Sequence, residues 1–282
     1  MATVSIARER AGAVRPWGVL PLLGVAPPSH HAFRVWQRNR DAFLRLWRVN
    51  LFPPLFEPVV MILAMGLGLG AFVELADGVD YIQFVSPGVL AVFPVFAAIE
   101  AALWSAFFRF EQGGIYAAML TTPARAEDIA AGEILWAATR TTFSAVLILV
   151  VMAMFTPAYD LIESPLVILA IPVAFLVGLL FAGFSLAYTS RALSIHQLMY
   201  FFTLVITPMF WFSGVFFPLD ELPDWVSIVA WFLPMTHAVD LFRGLTTGDL
   251  AWSHGGDLLW LAVVTIPACW LALWSVRRRL VN

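Results

Sequence analysis

Long apolar stretches separated by short polar ones dominate the chain from residue 50 onward. Six of them reach the roughly 20 residues that a helix needs to cross a hydrocarbon layer. They lie near 55–73 (LFEPVVMILAMGLGLGAFV), 84–108, 138–156, 165–188, 197–217 and 257–276. Ahead of them, Arg34, Arg38, Asp41, Arg45 and Arg48 recur at spacings of four, three, four and three, while Phe33, Trp36, Phe43 and Trp47 mark another side. That spacing predicts an amphipathic helix over 32–50, lying in the membrane surface with its aromatics in the acyl boundary. Residues 218–256 hold apolar positions that suit two short helices broken near Pro234, each too short to span. Such pieces are re-entrant or interfacial and need neighbouring spans to shield them. The expected fold is all-α: six transmembrane helices, an N-terminal amphipathic interfacial helix, and short re-entrant helices before the last span.

Composition agrees. Of 282 residues 61% are hydrophobic and 12% charged, with mean hydropathy +0.85, outside the range of a soluble domain. All sixteen basic residues are Arg, so no phosphate-binding loop ending in Gly-Lys-Ser/Thr exists and the chain is not a P-loop ATPase. The single Cys269 excludes a disulfide framework and a thiolate metal cluster. The five His are scattered, and no zinc-protease motif or Gly-x-Ser-x-Gly elbow occurs. Nothing points to a nucleic-acid partner.

The Arg residues sort by side. The N-terminal segment holds eight of them from Arg8 to Arg48; Arg109, Arg125 and Arg140 flank the second loop; Arg191 lies in the fourth loop and Arg277, Arg278 and Arg279 in the tail. Only Arg243 falls on the other side, where acids such as Asp80, Asp160, Glu163, Asp224, Asp240 and Asp257 collect. The positive-inside rule then makes both termini and the even-numbered loops cytoplasmic. The opening ARERAGAVRPWGVLPLLGVAPP imitates a signal peptide, but Pro16 and Pro21 interrupt its apolar part and translocation would oppose the derived topology. Residues 1–31 read as a disordered cytoplasmic leader, 32–50 as the interfacial helix and 51–282 as the transmembrane domain. The helix over 32–50 reads as an anchor and topology signal, or, more sharply, as a helix that slides or receives substrate headgroups from the inner leaflet.

Polar residues inside spans default to functional candidates. Glu57 follows Pro53 and Pro54 in what reads as the first turn of span one, where a carboxylate is structural. Glu100 lies deeper in span two, and pairing with Arg140 near the start of span three is the preferred reading; a proton relay is the alternative. On the other side, His237, Asp240 and Arg243 repeat every third residue, a hydrogen-bonded row on one helix face that reads as structural, tying the loop to its neighbour, with Arg243 alternatively a contact for an anionic or sugar headgroup. Trp225, Trp231 and Trp252 fit an aromatic belt, though such faces also suit sugars. Glycines in GLGLG (66–70), Gly178 and Gly183 permit close helix approach. Pro94, Pro172, Pro208 and Pro267 predict kinks.

The largest loop on the Arg-rich side runs over 109–137 and reads as helix, turn and helix feeding the third span. Tyr116, Met119 and Leu120 share a face; Thr122 caps, Pro123 opens the second helix, and Glu127 and Asp128 sit at its positive start. Gly113 and Gly114 detach this knob from span two. The stretch from Tyr116 to Ala137 resembles the first cytoplasmic loop of type-2 ABC exporter permeases. The likeness extends to EPVVMILAMGLGLG (57–70), YIQFVSPGVLA (81–91), TPMFWFSGVFFPLDELP (207–223) and LPMTHAVDLFRGL (233–245), and is nearest to nodulation-signal, polysaccharide and drug exporters. The resemblance implies a dimer in the bacterial cytoplasmic membrane that moves an amphipathic, lipid-linked or drug-like substrate outward. It implies that Tyr116, Met119, Leu120, Thr121, Thr122 and Arg125 face a separate cytosolic ATPase, which holds ATP and Mg, with no cofactor bound by this chain. Trp225, Trp231, His237, Asp240 and Arg243 are the expected outer gate. An ion-coupled transporter, with Glu100 as its site, and an intramembrane lipid-sugar transferase are the rival readings.

Overall fold

The computed structural model describes residues 25–72, 79–111, 114–219 and 222–281. Most of the leader (1–24), Gly113 and the acids Glu74, Asp77, Asp220 and Glu221 lie outside the described residues. Ten helices are described, with no strand among the described residues: α1 (His31–Arg45), α2 (Trp47–Leu69), α3 (Tyr81–Glu111), α4 (Ile115–Leu120), α5 (Ala126–Tyr159), α6 (Pro165–Thr189), α7 (Ile195–Trp211), α8 (Asp224–Trp231), α9 (Pro234–Thr247) and α10 (Trp252–Val281). Helices α2, α3, α5, α6 and α10 are long and apolar enough to cross a membrane. Helix α7 has 17 residues, about 25 Å of rise, because the chain leaves helical geometry at Phe212 and turns at Gly214 (φ 80°).

Cross-helix contacts sort the helix ends into two layers. At one end, Arg277 meets Glu127 at 3.3 Å and Arg279 donates to the carbonyls of Thr189 and Ala192. At the other, the Tyr81 hydroxyl donates to the Phe216 carbonyl, Gln83 to Tyr159, and the amides of Glu163 and Ser164 to Thr246. Helix α7 therefore runs from the first layer, beside Ala192, to the second, beside Phe216, and the bundle is traversed six times. Arg residues crowd the first layer and Arg243 belongs to the second, as the charge pattern requires.

Helix α3 is the buried centre and α2 the most peripheral. Small residues set the close approaches. A Cβ at Gly178 would stand 2.7 Å from Thr141 Oγ1 and 2.8 Å from the Ala138 Cα, so α6 touches α5 there; one at Gly183 would stand 2.8 Å from the Ala268 backbone of α10. Of GLGLG, Gly66 packs on Ile82 while Gly68 faces open space. The helices continue through Pro94 and Pro267. Regular geometry gives way in π-helical turns at Ile62–Leu69, Glu100–Ser105 and Phe202–Ile206, the last of them directly before Thr207 and Pro208. Side chains serve the carbonyls of the second: Arg109 donates to Ala101 at 3.2 Å and the Thr189 hydroxyl lies 3.1 Å from Ala102, as an apolar surrounding demands.

Two expected boundaries move. Span one begins at Trp47 and not near 55, so Glu57 sits well inside α2, past its first turn, exposed and without a hydrogen bond or ion pair among the described residues. The predicted interfacial helix over 32–50 correspondingly ends at Arg45, with a break at Leu46 that Asn50 Nδ2 stabilises by donating to the Phe43 carbonyl. Nor does α1 rest on lipid alone. Its Ala32, Val35 and Asn39 are buried against α5, where Gly132 leaves no room for a Cβ beside the Ala32 carbonyl. Residues 25–30, assigned to the leader, are held too: the Ala26 and Ser29 amides donate to Glu127 and Asp128.

Since the Ala138 backbone cannot yield and the Thr141 side chain is buried beside it, Gly178→Leu should lower stability by about 1–3 kcal/mol, the cost of overpacking. Gly68→Ala should be neutral or slightly stabilising. Thermal unfolding of the purified variants in detergent checks the contrast.

Candidate functional site: the knob between α3 and α5

Between the second and third spans the chain forms the expected helix, turn and helix. Gly114 takes a left-handed conformation (φ 59°), which lets α4 leave the axis of α3. The turn is built differently from the expected cap. Helix α5 starts at Ala126 with Arg125 preceding it, and the Asp128 carboxylate accepts from the Arg125 amide at 2.9 Å. Thr122 closes the end of α4 instead, donating to the Met119 carbonyl at 2.6 Å, and Pro123 stays in the turn. Asp128 wins the N-terminus because its carboxylate also accepts from the Ser29 amide, tying knob, leader and α5 together.

The six residues expected to face a partner divide. Thr121, Thr122 and Arg125 are exposed at the tip, together with Ala117 and Ala118, which the sequence reading passed over. Met119 and Leu120 are half-buried against Val35 and Ile129. Tyr116 is 2% exposed and points into the protein, so its side chain presents no surface to a partner. The hydroxyl donates to Glu133 Oε1 at 2.9 Å, and Arg109 donates to Glu133 Oε2 at 2.6 Å and to the Tyr116 oxygen at 3.1 Å. Burial first, then the Glu133 carboxylate, hold the phenol well above its ordinary range, so it remains a donor.

Glu133 is the residue that sequence reasoning missed. Its partners lie 17 and 24 residues away on α4 and α3, beyond any local spacing rule; the signal available was a lone acid within the apolar run EILWA. Around this triad Phe110 packs edge-on to Tyr116 at 4.6 Å, and Arg279 of α10 lies over Phe110 and pairs with Glu111. The knob is thereby joined to α3, α5 and the end of α10.

Deeper in the bundle Arg140 of α5 donates to Glu100 of α3 at 2.6 Å, the guanidinium 10% exposed and the carboxylate 57%. In the opposite layer α8 and α9 form the expected broken pair, meeting at 90° around Phe232 and Leu233. The row on α9 does not bond along itself. His237 lies between Asp257 of α10 and the Trp231 carbonyl, 2.7 Å from each. Asp240 and Arg243 approach only to 3.9 Å, and Arg243 donates to the Gly214 carbonyl and lies 4.3 Å from the Phe84 ring centre. His237 thus ties α9 to α10 and α8, and Arg243 ties it to α3 and the turn after α7, while Asp240 meets only Arg243. Trp225, Trp231 and Trp252 are exposed.

A polytopic helical membrane protein with a knob rooted in two of its spans is what these features define. The chain belongs to the ABC-2 type transporter family, whose model matches residues 31–246. It is 35% identical to Nodulation protein J of Rhizobium leguminosarum bv. viciae over 76% of this chain and 82% of that protein. Nodulation protein J of Rhizobium meliloti (strain 1021) is 32% identical over 87% and 92%, and the inner membrane transport permease YadH of Escherichia coli (strain K12) 25% over 87% and 93%.

Removing the buried carboxylate leaves Arg109 unpaired, so Glu133→Leu should cost about 3–5 kcal/mol. Tyr116→Phe, which leaves the ion pair intact, should cost about 1–3 kcal/mol. Unfolding midpoints of the two variants, measured side by side, test the order. Arg140→Leu should lower the abundance of folded protein by stranding Glu100, readable as the monodisperse fraction in size-exclusion chromatography.

Proposed function

We propose that the chain is the membrane-spanning subunit of an ATP-driven exporter in a bacterial cytoplasmic membrane, working as a pair of permease copies with a separate cytosolic ABC ATPase. The Arg-rich layer, with both ends of the chain, faces the cytoplasm. The substrate class we favour is amphipathic, lipid-linked or drug-like. Membership of the ABC-2 family supports a permease role, and the Escherichia coli relative is a transport permease of the inner membrane.

The observation that carries this reading is mechanical. The knob presents Thr121, Thr122 and Arg125 outward while Tyr116 roots it on Glu133 and Arg109, that is, on α5 and α3. A partner that grips the tip and closes on ATP would shift those two spans together, rock the bundle and open a path beneath α8 and α9, with His237 and Arg243 holding α9 to its neighbours. Catalysis stays with the ATPase, which supplies the nucleotide and Mg. The Glu100–Arg140 pair spends the carboxylate on holding α3 to α5, which favours a structural task over ion coupling.

Thr121→Glu changes only an exposed side chain at the tip, whereas Arg125→Glu also removes a guanidinium 3.9 Å from the capping carboxylate of Asp128. Each should reduce ATP-dependent export by tenfold or more in proteoliposomes containing the ATPase, with the unfolding midpoint of the isolated permease unchanged for Thr121→Glu. Export at the wild-type rate in both would remove the coupling role.

A further inference from the structure

The elbow at Leu46 leaves a groove that the transport reading does not use. It has a volume of about 480 Å³ and lies between α1, the start of α2 and the Arg-rich half of α5. Its walls are apolar: Phe43 from α1, Trp47 and Leu51 from α2, Phe143 and Leu147 from α5. Two arginines also border it, Arg40 of α1 and Arg140 of α5, their guanidinium groups turned to Asp41 and Glu100 at its edge. We propose that this groove holds one acyl chain of a resident anionic phospholipid, whose phosphate is bound by Arg40 and Arg140.

Three features favour a lipid over a protein segment or a soluble anion. First, the opening is apolar and uncovered: Leu44 and Trp47, which line the groove, and Phe52 and Phe56 further along α2 are each at least half exposed, a surface suited to bilayer and not to water. Second, the charge balance around the elbow is positive. Asp41 takes Arg40 and Glu100 takes Arg140, but each contact engages one carboxylate oxygen, and a guanidinium carries more N–H donors than that oxygen can accept. Arg45 and Arg48 add exposed charge on the same elbow, Arg48 stacked 5.5 Å from the Trp47 ring centre. Arginine also matches phosphate geometry. Third, the groove crosses a joint. Arg40 and Phe43 stand on one side of the Leu46 break, Trp47 and Leu51 on the other, and Arg140, Phe143 and Leu147 on the helix that both must meet. A chain seated there adds to the contacts that α2, the most peripheral span, makes with α5, and clamps the elbow. This site does not depend on what the protein transports.

The test uses the full-length protein in detergent, titrated with dioleoylphosphatidylglycerol, dioleoylphosphatidylcholine or inorganic phosphate, with the unfolding midpoint and native mass spectrometry as readouts. Phosphatidylglycerol should raise the midpoint by about 4 °C or more at a hundredfold excess over its Kd and remain bound one per chain. Phosphatidylcholine and inorganic phosphate should do neither. Arg40→Gln should weaken phosphatidylglycerol binding about tenfold, the worth of one charge-assisted contact, and Leu147→Trp, which fills the groove while leaving both guanidinium groups, should abolish it. Equal shifts with phosphatidylcholine, an equal effect of inorganic phosphate, or wild-type lipid retention in both variants would overturn the proposal.

Discussion

Glu133 sits inside an apolar bundle with one oxygen taken by Tyr116 and the other by Arg109. A carboxylate 1% exposed cannot trade these donors for water, so the three helices that supply the groups are held in one geometry or the site fails altogether. Everything at the Arg-rich end follows from that constraint. Helix α4 has six residues, too few to be stable alone, and its orientation comes from Tyr116 reaching inward. With Tyr116 committed, the tip is left to Thr121, Thr122 and Arg125. Phe110 and Arg279 then extend the same cluster to the end of α10.

The second constraint is that backbone groups in an apolar surrounding must find partners within the chain. It explains where polar side chains are spent. Arg109 and Thr189 serve carbonyls of the π-helical turn in α3; Arg279 serves the carbonyls at the end of α6; Arg243 serves Gly214, where the chain turns after α7. Several residues that invite a functional reading by charge are thus occupied with backbone. The exposed tip of the knob and the two guanidinium groups at the elbow are different, because they retain surface or donors that no described residue uses in full.

Much of this was legible in the sequence. Apolar run length gave the spans, Arg placement sorted the two layers, and Pro234 marked the break between α8 and α9. The adjacency of Glu100 and Arg140 followed from their depths on consecutive spans. What escaped notice was nonlocal or a matter of competition. Pro53 and Pro54 looked like a helix start, yet α2 continues back to Trp47, since the fixed φ of proline suits a helix and the bonds lost lie one turn back, at its polar edge. Thr122 and Pro123 formed a plausible cap that Asp128 displaced by bonding two segments at once. Periodicity placed Tyr116 on a face with Met119 and Leu120 but could not say that the face turned inward, because Glu133 and Arg109 lie on other helices.

The central claim is that the knob and the third span move as one body because Glu133 joins them. Spin labels at Thr121 on the knob and Val150 on α5, in the permease assembled with the proposed ATPase, measure that directly by double electron–electron resonance. The account predicts one narrow distance within each chain, read with a single copy of the pair labelled, that is the same without nucleotide and in the vanadate-trapped state, and that broadens when Glu133 is replaced by Gln. A distance that shifts on trapping in the otherwise unaltered protein, or one that Glu133→Gln leaves narrow, would contradict it.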